Sequence, residues 1–469
     1  MKIFILAGGG GTRLFPLSRQ CMPKQFLNID NDNSLFANTI KRFQNFVKTQ
    51  DILIVTNQEY LHHVKSELAA CGAEEATILL EPEARNTAPA IALAAQYCRE
   101  KLDCPPDEVV FISPSDHIIR PKIAFQSAVS QGVEFAQSGN FVTFGIAPTK
   151  PETGFGYIEA GEDLQGAYKT KAFKEKPDLA TAEAYLKKGN YYWNSGMFAF
   201  RLDIYFQELE AYAPDLFQQI QPTYSETLAN FSQMPNISID YAVAEKTLRG
   251  VTLPLHLYWN DVGSWDAIYD ILDKDAFGNA LQGDCLPIDC SDSLLLGQSR
   301  LIAGIGLDNI MVVETADVIL VAQKGESQKV KELVSILNTR GRKEAVSPPR
   351  IYFSWGNSTL LGQNPGYKLK KLILNPGGSL PACMHYHRSV HWVISRGTAQ
   401  IEVAGQQQIL HTNQSAFIPM TTMYSLRNPG KMPLVIIEIE NGEYLEDDDI
   451  FYEADDLADE EKIPLLLQP

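Results

Sequence analysis

The chain opens Lys2-Ile3-Phe4-Ile5-Leu6-Ala7 and runs straight into Gly8-Gly9-Gly10-Gly11-Thr12-Arg13-Leu14. A short apolar, β-branched run reads as a buried strand. Four glycines at its end let the backbone turn sharply with its N–H groups uncovered, which makes an anion cradle. Two common phosphate loops are excluded. No Gly-Lys-Ser/Thr closes the turn, so it is not a Walker A loop. The third glycine of a dinucleotide fingerprint is replaced by Arg13 counting from Gly8 and Gly10, and by Leu14 counting from Gly9 and Gly11. Arg13 and Lys24, the latter in Pro23-Lys24-Gln25-Phe26, add two cations to the same unit. A plain structural turn with surface cations is the bland alternative.

Further strands follow at Asp51 to Thr56, Val109 to Pro114 and Phe141 to Ile146, with helical segments such as Ala88 to Lys101 and Ala124 to Gln137 between them. This alternation predicts an α/β domain with a mostly parallel sheet and sites at the C-terminal ends of its strands. The pattern ends near Val262-Gly263-Ser264-Trp265-Asp266. Short β-like runs then appear at Leu294 to Leu296, Ile310 to Val313 and Val318 to Val321, followed by a helix over Ser327 to Asn338. Thr339-Arg340-Gly341-Arg342-Lys343 to Pro348-Pro349 reads as a linker. Beyond Ile351, evenly spaced short strands and turns such as Asn375-Pro376-Gly377-Gly378 predict a small barrel. The expected domains are 1–268, 269–348 and 349–469. The acidic runs Glu446 to Asp449 and Asp455 to Glu461 read as a solvated face or frayed end.

At 469 residues, with 45% hydrophobic and 21% charged residues, the chain has the composition of a soluble globular protein. A net charge of -17 argues against nonspecific nucleic-acid binding, so anionic substrates must be drawn by local cations. Seven scattered cysteines without a CxxC indicate neither a disulfide framework nor a zinc site. No apolar stretch reaches membrane-spanning length. The expected setting is therefore cytoplasmic, with no membrane or nucleic-acid partner.

Asp116, in Ser113-Pro114-Ser115-Asp116-His117, sits at a strand end where a hard carboxylate can hold magnesium. Asp261, in Trp259-Asn260-Asp261-Val262-Gly263, is a second candidate. Two separated aspartates could converge on one Mg²⁺, although their spacing does not establish it. Asp240 and Glu245 could be plain surface charges, since an i,i+5 offset does not place them on one α-helical face. Tyr157, Trp193 and Trp265 read as packing aromatics.

The stretch from Leu6 to Leu17, with Pro23-Lys24, resembles the signature of sugar-1-phosphate nucleotidyltransferases. Glu81-Pro82 with Arg85-Asn86-Thr87-Ala88-Pro89-Ala90 is similar to the guanine-recognition segment of mannose-1-phosphate guanylyltransferases. Thr153-Gly154-Phe155-Gly156-Tyr157, Phe173-Lys174-Glu175-Lys176-Pro177, Trp193-Asn194-Ser195-Gly196 and Ser238 to Lys246 match its acceptor half. The resemblance implies a Rossmann-like (GT-A-type) transferase domain, a β-rich connector and a C-terminal cupin barrel. Its substrates would be GTP and mannose 1-phosphate, its cofactor Mg²⁺, and its assembly a homo-oligomer (dimer). It further implies that Asp116 and Asp261 hold the metal, and that Arg13 and Lys24 act on the phosphates. Ala7, Gly8, Gly9, Gly10, Gly11, Thr12, Arg85, Asn86 and Ser115 would bind nucleotide; Gly156, Glu175, Lys176 and Asn194 would bind the sugar phosphate.

Residues 355–453 resemble the cupin domain of bifunctional enzymes that also isomerise mannose 6-phosphate. Read alone, His385-x-His387 on a strand puts two imidazoles on one face, a plausible metal pair. The family's metal positions, however, hold Cys383, His385, Val390 and Tyr424 here, and its closing Tyr-Gly-Arg is absent. The resemblance therefore implies a barrel that has lost its isomerase chemistry. Alternatives are a retained isomerase activity, another sugar 1-phosphate as acceptor, or a regulatory pseudoenzyme.

Overall fold

The computed structural model describes residues 1–29, 33–44 and 46–452. The acidic run Asp455 to Glu461 lies outside them. The chain divides into two compact units, Met1–Gly9 with Lys24–Leu272, and Gly10–Pro23 with Asp273–Pro469. The sequence reading put boundaries at 268 and 348 instead, and gave residues 10–23 to the first domain.

In the first unit the described residues form a nine-stranded sheet. Its strands are β1 (Lys2–Leu6), β2 (Ile52–Asn57), β3 (Thr77–Glu81), β4 (Val109–Pro114), β5 (Phe141–Ile146), β6 (Tyr157–Asp163), β7 (Tyr168–Lys174), β8 (Tyr191–Arg201) and β9 (Gly250–Leu255), in the order β3-β2-β1-β4-β8-β5-β9-β7-β6. β3, β2, β1 and β4 are mutually parallel, as expected. The other half departs from the expectation of a mostly parallel sheet. β8 runs antiparallel to both β4 and β5, and β6 and β7 pair antiparallel. A strand's residues set which face is buried, but its direction is set by the connection that delivers it.

The helix Thr87–Glu100 shows why the parallel half is tight. Ala88, Ala90, Ala92, Ala94 and Ala95 lie at most 5% exposed, in one core with Phe4, Leu53 and Val55. Small side chains let this helix sit close to the sheet at no cost in helix propensity. Asn86 starts it, accepting from the Thr87 amide at 2.9 Å.

In the second unit, Ala280–Gln282, Leu294–Gly297 and Ile310–Glu314 pair in parallel as successive rungs, and Cys285–Ile288 pairs in parallel with Ile302–Ile305. The supposed linker is packed rather than free. Ala345 is 1% exposed, and the fully buried Arg19 donates from Nη1 to the carbonyls of Glu344 and Ser347. Arg19 also forks onto Asp317 at 2.9 and 3.0 Å, which fixes segment 10–23 within this unit. Beyond Arg350 a six-stranded and a five-stranded antiparallel sheet enclose a core around Trp392. Asp449 corrects the reading of its acidic run as a solvated face, being 3% exposed and hydrogen-bonded to Nδ1 of His387 at 2.7 Å. Among the described residues no helix is long and apolar enough to cross a membrane.

Candidate active site

A cavity of about 330 Å³ opens at the C-terminal ends of β1 to β4. Gly8, Gly9, Asn86, Ser115 and Asp116 line it, joined by Gln25, Glu81 and Asp240. Gln25 donates to the carbonyls of Ala7 (3.2 Å) and Gly9 (3.0 Å). With those carbonyls engaged, what the turn has left to offer an anion is its amides. Gly8 lies close against Glu81, so that a Cβ there would stand 2.2 Å from Oε1 and displace the carboxyl. Glu81 is 6% exposed, and burial pushes its pKa up to about 7. Asn86 holds φ +69°. Arg85, by contrast, is absent from the cavity lining and donates to the Ser232 carbonyl at 2.6 Å and to Glu83 at 3.0 Å.

Lys24 links the Asp116 carboxylate to the main chain of Asp261. Its ammonium is 2.9 Å from Oδ2 of Asp116 and donates to the main-chain oxygen of Asp261 at 2.6 Å. Burial opposes ionisation of Asp116, yet Lys24 and His117 outweigh it and hold the carboxyl below its usual value. Val262, β-branched and buried, is held at φ +51° with its amide on Oδ1 of Asn260 at 2.7 Å. Such a conformation costs energy, and here it fixes the backbone beside Asp261. A hard carboxylate at Asp116, 22% exposed, with Asp261 held by its main chain to the same lysine, suits a divalent ion that completes its shell with phosphate oxygens. Among the described residues no group of three or more His, Cys, Asp or Glu could hold a metal, so such an ion would depend on substrate.

The four residues expected to meet the sugar phosphate come together. The Asn194 amide donates to the Gly156 carbonyl at 2.8 Å, and Lys176 pairs with Glu175 at 2.9 Å. A Cβ on Gly156 would reach within 2.4 Å of Oε2 of Glu175, a buried oxygen with no hydrogen bond. Asn194 also donates to Asp240 at 2.7 Å. Burial, with Glu175 nearby, pushes Asp240 up to about 6. Asp240 is thus a cavity residue that sequence reasoning left undecided. Asp240–Ala244 is a π-helical turn closed by the Glu245 amide on the Asp240 carbonyl, and Glu245 accepts from the Glu175 amide at 3.0 Å. The i,i+5 offset that would separate the two carboxylates on an α-helix therefore brings both to one cluster.

Gly10, Gly11, Thr12 and Arg13 belong to the second unit by packing, and Arg13 is exposed. Tyr157, Trp193 and Trp265 are buried, at 0%, 5% and 0%.

A family profile described as nucleotidyl transferase matches residues 2–277. Two more match 283–337, described as a MannoseP isomerase/GMP-like beta-helix domain, and 340–455, described as mannose-6-phosphate isomerase C-terminal. The chain is 43% identical to the xanthan biosynthesis protein XanB of Xanthomonas campestris pv. campestris (strain B100), over 95% of this chain and 96% of that one. It is 39% identical to a mannose-1-phosphate guanylyltransferase of Klebsiella pneumoniae, over 95% and 97%. The chain belongs to the mannose-1-phosphate guanylyltransferase family. A solved Thermus thermophilus structure, described as a mannose-1-phosphate geranyltransferase, is 29% identical with a TM-score of 0.66, over 72% of this chain and 99% of that one. The parallel rungs of the connector are the β-helix, which the sequence reading saw only as short β runs.

In this member of the guanylyltransferase family the barrel departs from the expected metal pair. The strand Ser379–His385 ends at the first histidine, so His387 lies in the following turn, paired with Asp449 at 2.7 Å. His385 is 5% exposed, and its Nδ1 accepts from Nε of Arg388 at 3.0 Å. Nδ1 also lies 3.2 Å from the Asp449 carbonyl, and Nε2 shares a 2.7 Å hydrogen bond with the Tyr424 hydroxyl. Burial, with Arg388 adding to it, pushes His385 down to about 4. Cys383 is paired across the sheet with Tyr424, and burial pushes its thiol up to about 12. Val390, 1% exposed, completes the set without a donor. With both imidazole nitrogens of His385 engaged inside the barrel and no donor on Val390, these residues do not fit a metal.

Proposed function

We propose that this protein transfers GMP from GTP to α-D-mannose 1-phosphate, giving GDP-mannose and pyrophosphate for surface polysaccharide. One observation carries the reading: Asp240 lines the cavity that Gly8, Asn86 and Ser115 share, and it also accepts the hydrogen bond from Asn194 of the acceptor cluster. A sugar phosphate beside Asn194 and Lys176 would be a short reach from a nucleotide on the glycine turn. Its phosphate oxygen attacks the α-phosphorus in line; that P–O bond forms as the bond to the β-phosphate oxygen breaks, and pyrophosphate leaves. A phosphate monoester is already nucleophilic, so positioning and charge neutralisation suffice. Lys24 would offset charge at the α-phosphate. Arg13 and the glycine amides would hold pyrophosphate. Asn86, with Arg85 behind it, and Ser115 would seat the nucleoside, and Glu81 would accept from N–H groups of guanine. Glu175, whose Oε2 lacks a donor, suits a sugar hydroxyl, and Gly156 leaves room for the ring. Magnesium held by Asp116 and Asp261 would neutralise and orient the phosphates.

The barrel, on this reading, carries no isomerase chemistry, which the engaged nitrogens of His385 support. A cytoplasmic setting is supported by seven free cysteines. A homodimer is supported by the exposed Leu286, Ile288 and Ile305 of the β-helix. Pyrophosphate release measured across four nucleoside triphosphates and a panel of sugar 1-phosphates should peak at GTP with mannose 1-phosphate. Another preferred pair would change the assignment. A coupled assay for fructose 6-phosphate from mannose 6-phosphate, with zinc, cobalt or manganese added, should stay at background.

A further inference from the structure

A second cavity in the first unit, of about 290 Å³, shares no lining residue with the first. Lys41, Arg42, His117, Arg120 and Lys122 line it, and among the described residues no carboxylate does. On a chain with a net charge of -17, such a concentration of cations is the opposite of the average surface. Arg42 is the sharpest part of it. The residue is 5% exposed and donates to the carbonyl of His117 at 2.9 Å and to the Thr39 hydroxyl at 3.4 Å, with its guanidinium 5.5 Å from the Phe125 ring. Those partners are neutral, and among the described residues Arg42 has no ion pair. A buried cation without a counter-charge is costly, and an anion seated beside it removes that cost. Lys122 reinforces the wall, donating to the main-chain oxygens of Lys41 and Gln44.

We infer that this cavity is a second anion site, taking a phosphate group, free or carried as a monoester on a small molecule, apart from the nucleotide cavity. The guanidinium fork of Arg42 supplies directional donors, and Lys41 and Lys122 supply point charges at the mouth. Four cationic side chains, Lys41, Arg42, Arg120 and Lys122, among its lining residues suit a phosphate group. It meets the transferase site through adjacent residues. His117 lines the second cavity and Asp116 the first, and Trp259 braces the His117 ring with a 3.3 Å hydrogen bond to Nδ1. Occupancy is thereby positioned to bear on the Lys24–Asp116 pair.

The test is calorimetric titration of the full chain with inorganic phosphate and, separately, glycerol 3-phosphate. The variants are Lys41→Gln/Lys122→Gln, which leaves buried Arg42 in place, and Lys24→Gln in the other cavity. Circular dichroism checks that each is folded. The expected result is saturable binding that the double variant weakens about tenfold or more and Lys24→Gln leaves unchanged. Tighter binding of the monoester assigns the ligand to an esterified phosphate and tighter binding of the inorganic ion to free phosphate; either upholds the site. No saturable binding, binding lost in Lys24→Gln alone, or binding indifferent to Lys41 and Lys122 overturns it.

Discussion

Glu81→Gln should separate the stability of this protein from its activity. Glu81 is almost wholly buried against the glycine turn, and its pKa is pushed up to about 7 from an ordinary 4.5. A carboxyl whose folded pKa exceeds its unfolded one keeps its proton longer in the folded state. Folding is then most stable with respect to this group below about pH 4.5, and loses stability as the pH rises through 7. Each pH unit between those two values is worth about 1.4 kcal/mol, so ionised Glu81 costs the unliganded protein about 3 kcal/mol above pH 7. Glutamine keeps the shape and the polar amide but cannot ionise. At pH 5, where Glu81 is protonated, wild type and variant should have nearly equal urea midpoints; at pH 8 the variant should be the more stable. Its KM for GTP should rise about tenfold or more, because the new NH₂ group faces donors where an acceptor stood. A stability difference that is the same at both pH values would falsify the placement of an ionising carboxyl against Gly8. An unchanged KM for GTP would remove Glu81 from nucleotide binding while leaving the stability argument intact.

Lys24→Gln keeps a donor for the Asp261 carbonyl and removes the charge beside Asp116; turnover in a pyrophosphate-release assay should fall about 10²- to 10³-fold with the circular dichroism spectrum unchanged. Near-normal turnover would take Lys24 out of the chemistry. Gly156→Ala drives a methyl into Glu175, so the KM for mannose 1-phosphate should rise about 10- to 100-fold while that for GTP stays put. Equal effects on both substrates would show general distortion. Arg388→Met strips the barrel of a fully buried guanidinium that is 2.8 Å from Glu440 and also serves His385, and should cost about 3–5 kcal/mol in urea denaturation. Lys370 also pairs with Glu440, and a loss under about 1 kcal/mol would mean that it satisfies that carboxylate alone.

The parallel half of the sheet was legible because β1, β2 and β4 are unbroken apolar runs, each followed by turn residues or a helix. The cluster of Gly156, Glu175 and Asn194 was legible as motifs, although nothing in the three as a list says that they touch. Features that depend on distant partners were not legible. β8 is antiparallel for reasons of connection. The π-turn at Asp240 differs from an α-turn by a single hydrogen-bond offset. The spacing of His385 and His387 is that of a strand face, yet the strand stops between them so that Asp449 can cap the turn. The basic stretch Thr339 to Lys343 looked solvated from composition, whereas the segment after it is fastened by Arg19, some three hundred residues earlier.

That fastening bears on whether the enzyme can be cut in two. Gly8 and Gly9 line the cavity at the strand ends, but from Gly10 onward the same loop is folded into the second unit, with Arg19 clamped by Asp317, Glu344 and Ser347, and the Cys21 amide bonded to the Val346 carbonyl. A fragment ending at Leu272 would retain the glycines and lose every one of those anchors. Without Asp317 and the segment Glu344 to Ser347, the stretch that follows Gly9 would therefore lack the partners that hold Arg19 and Cys21 in place.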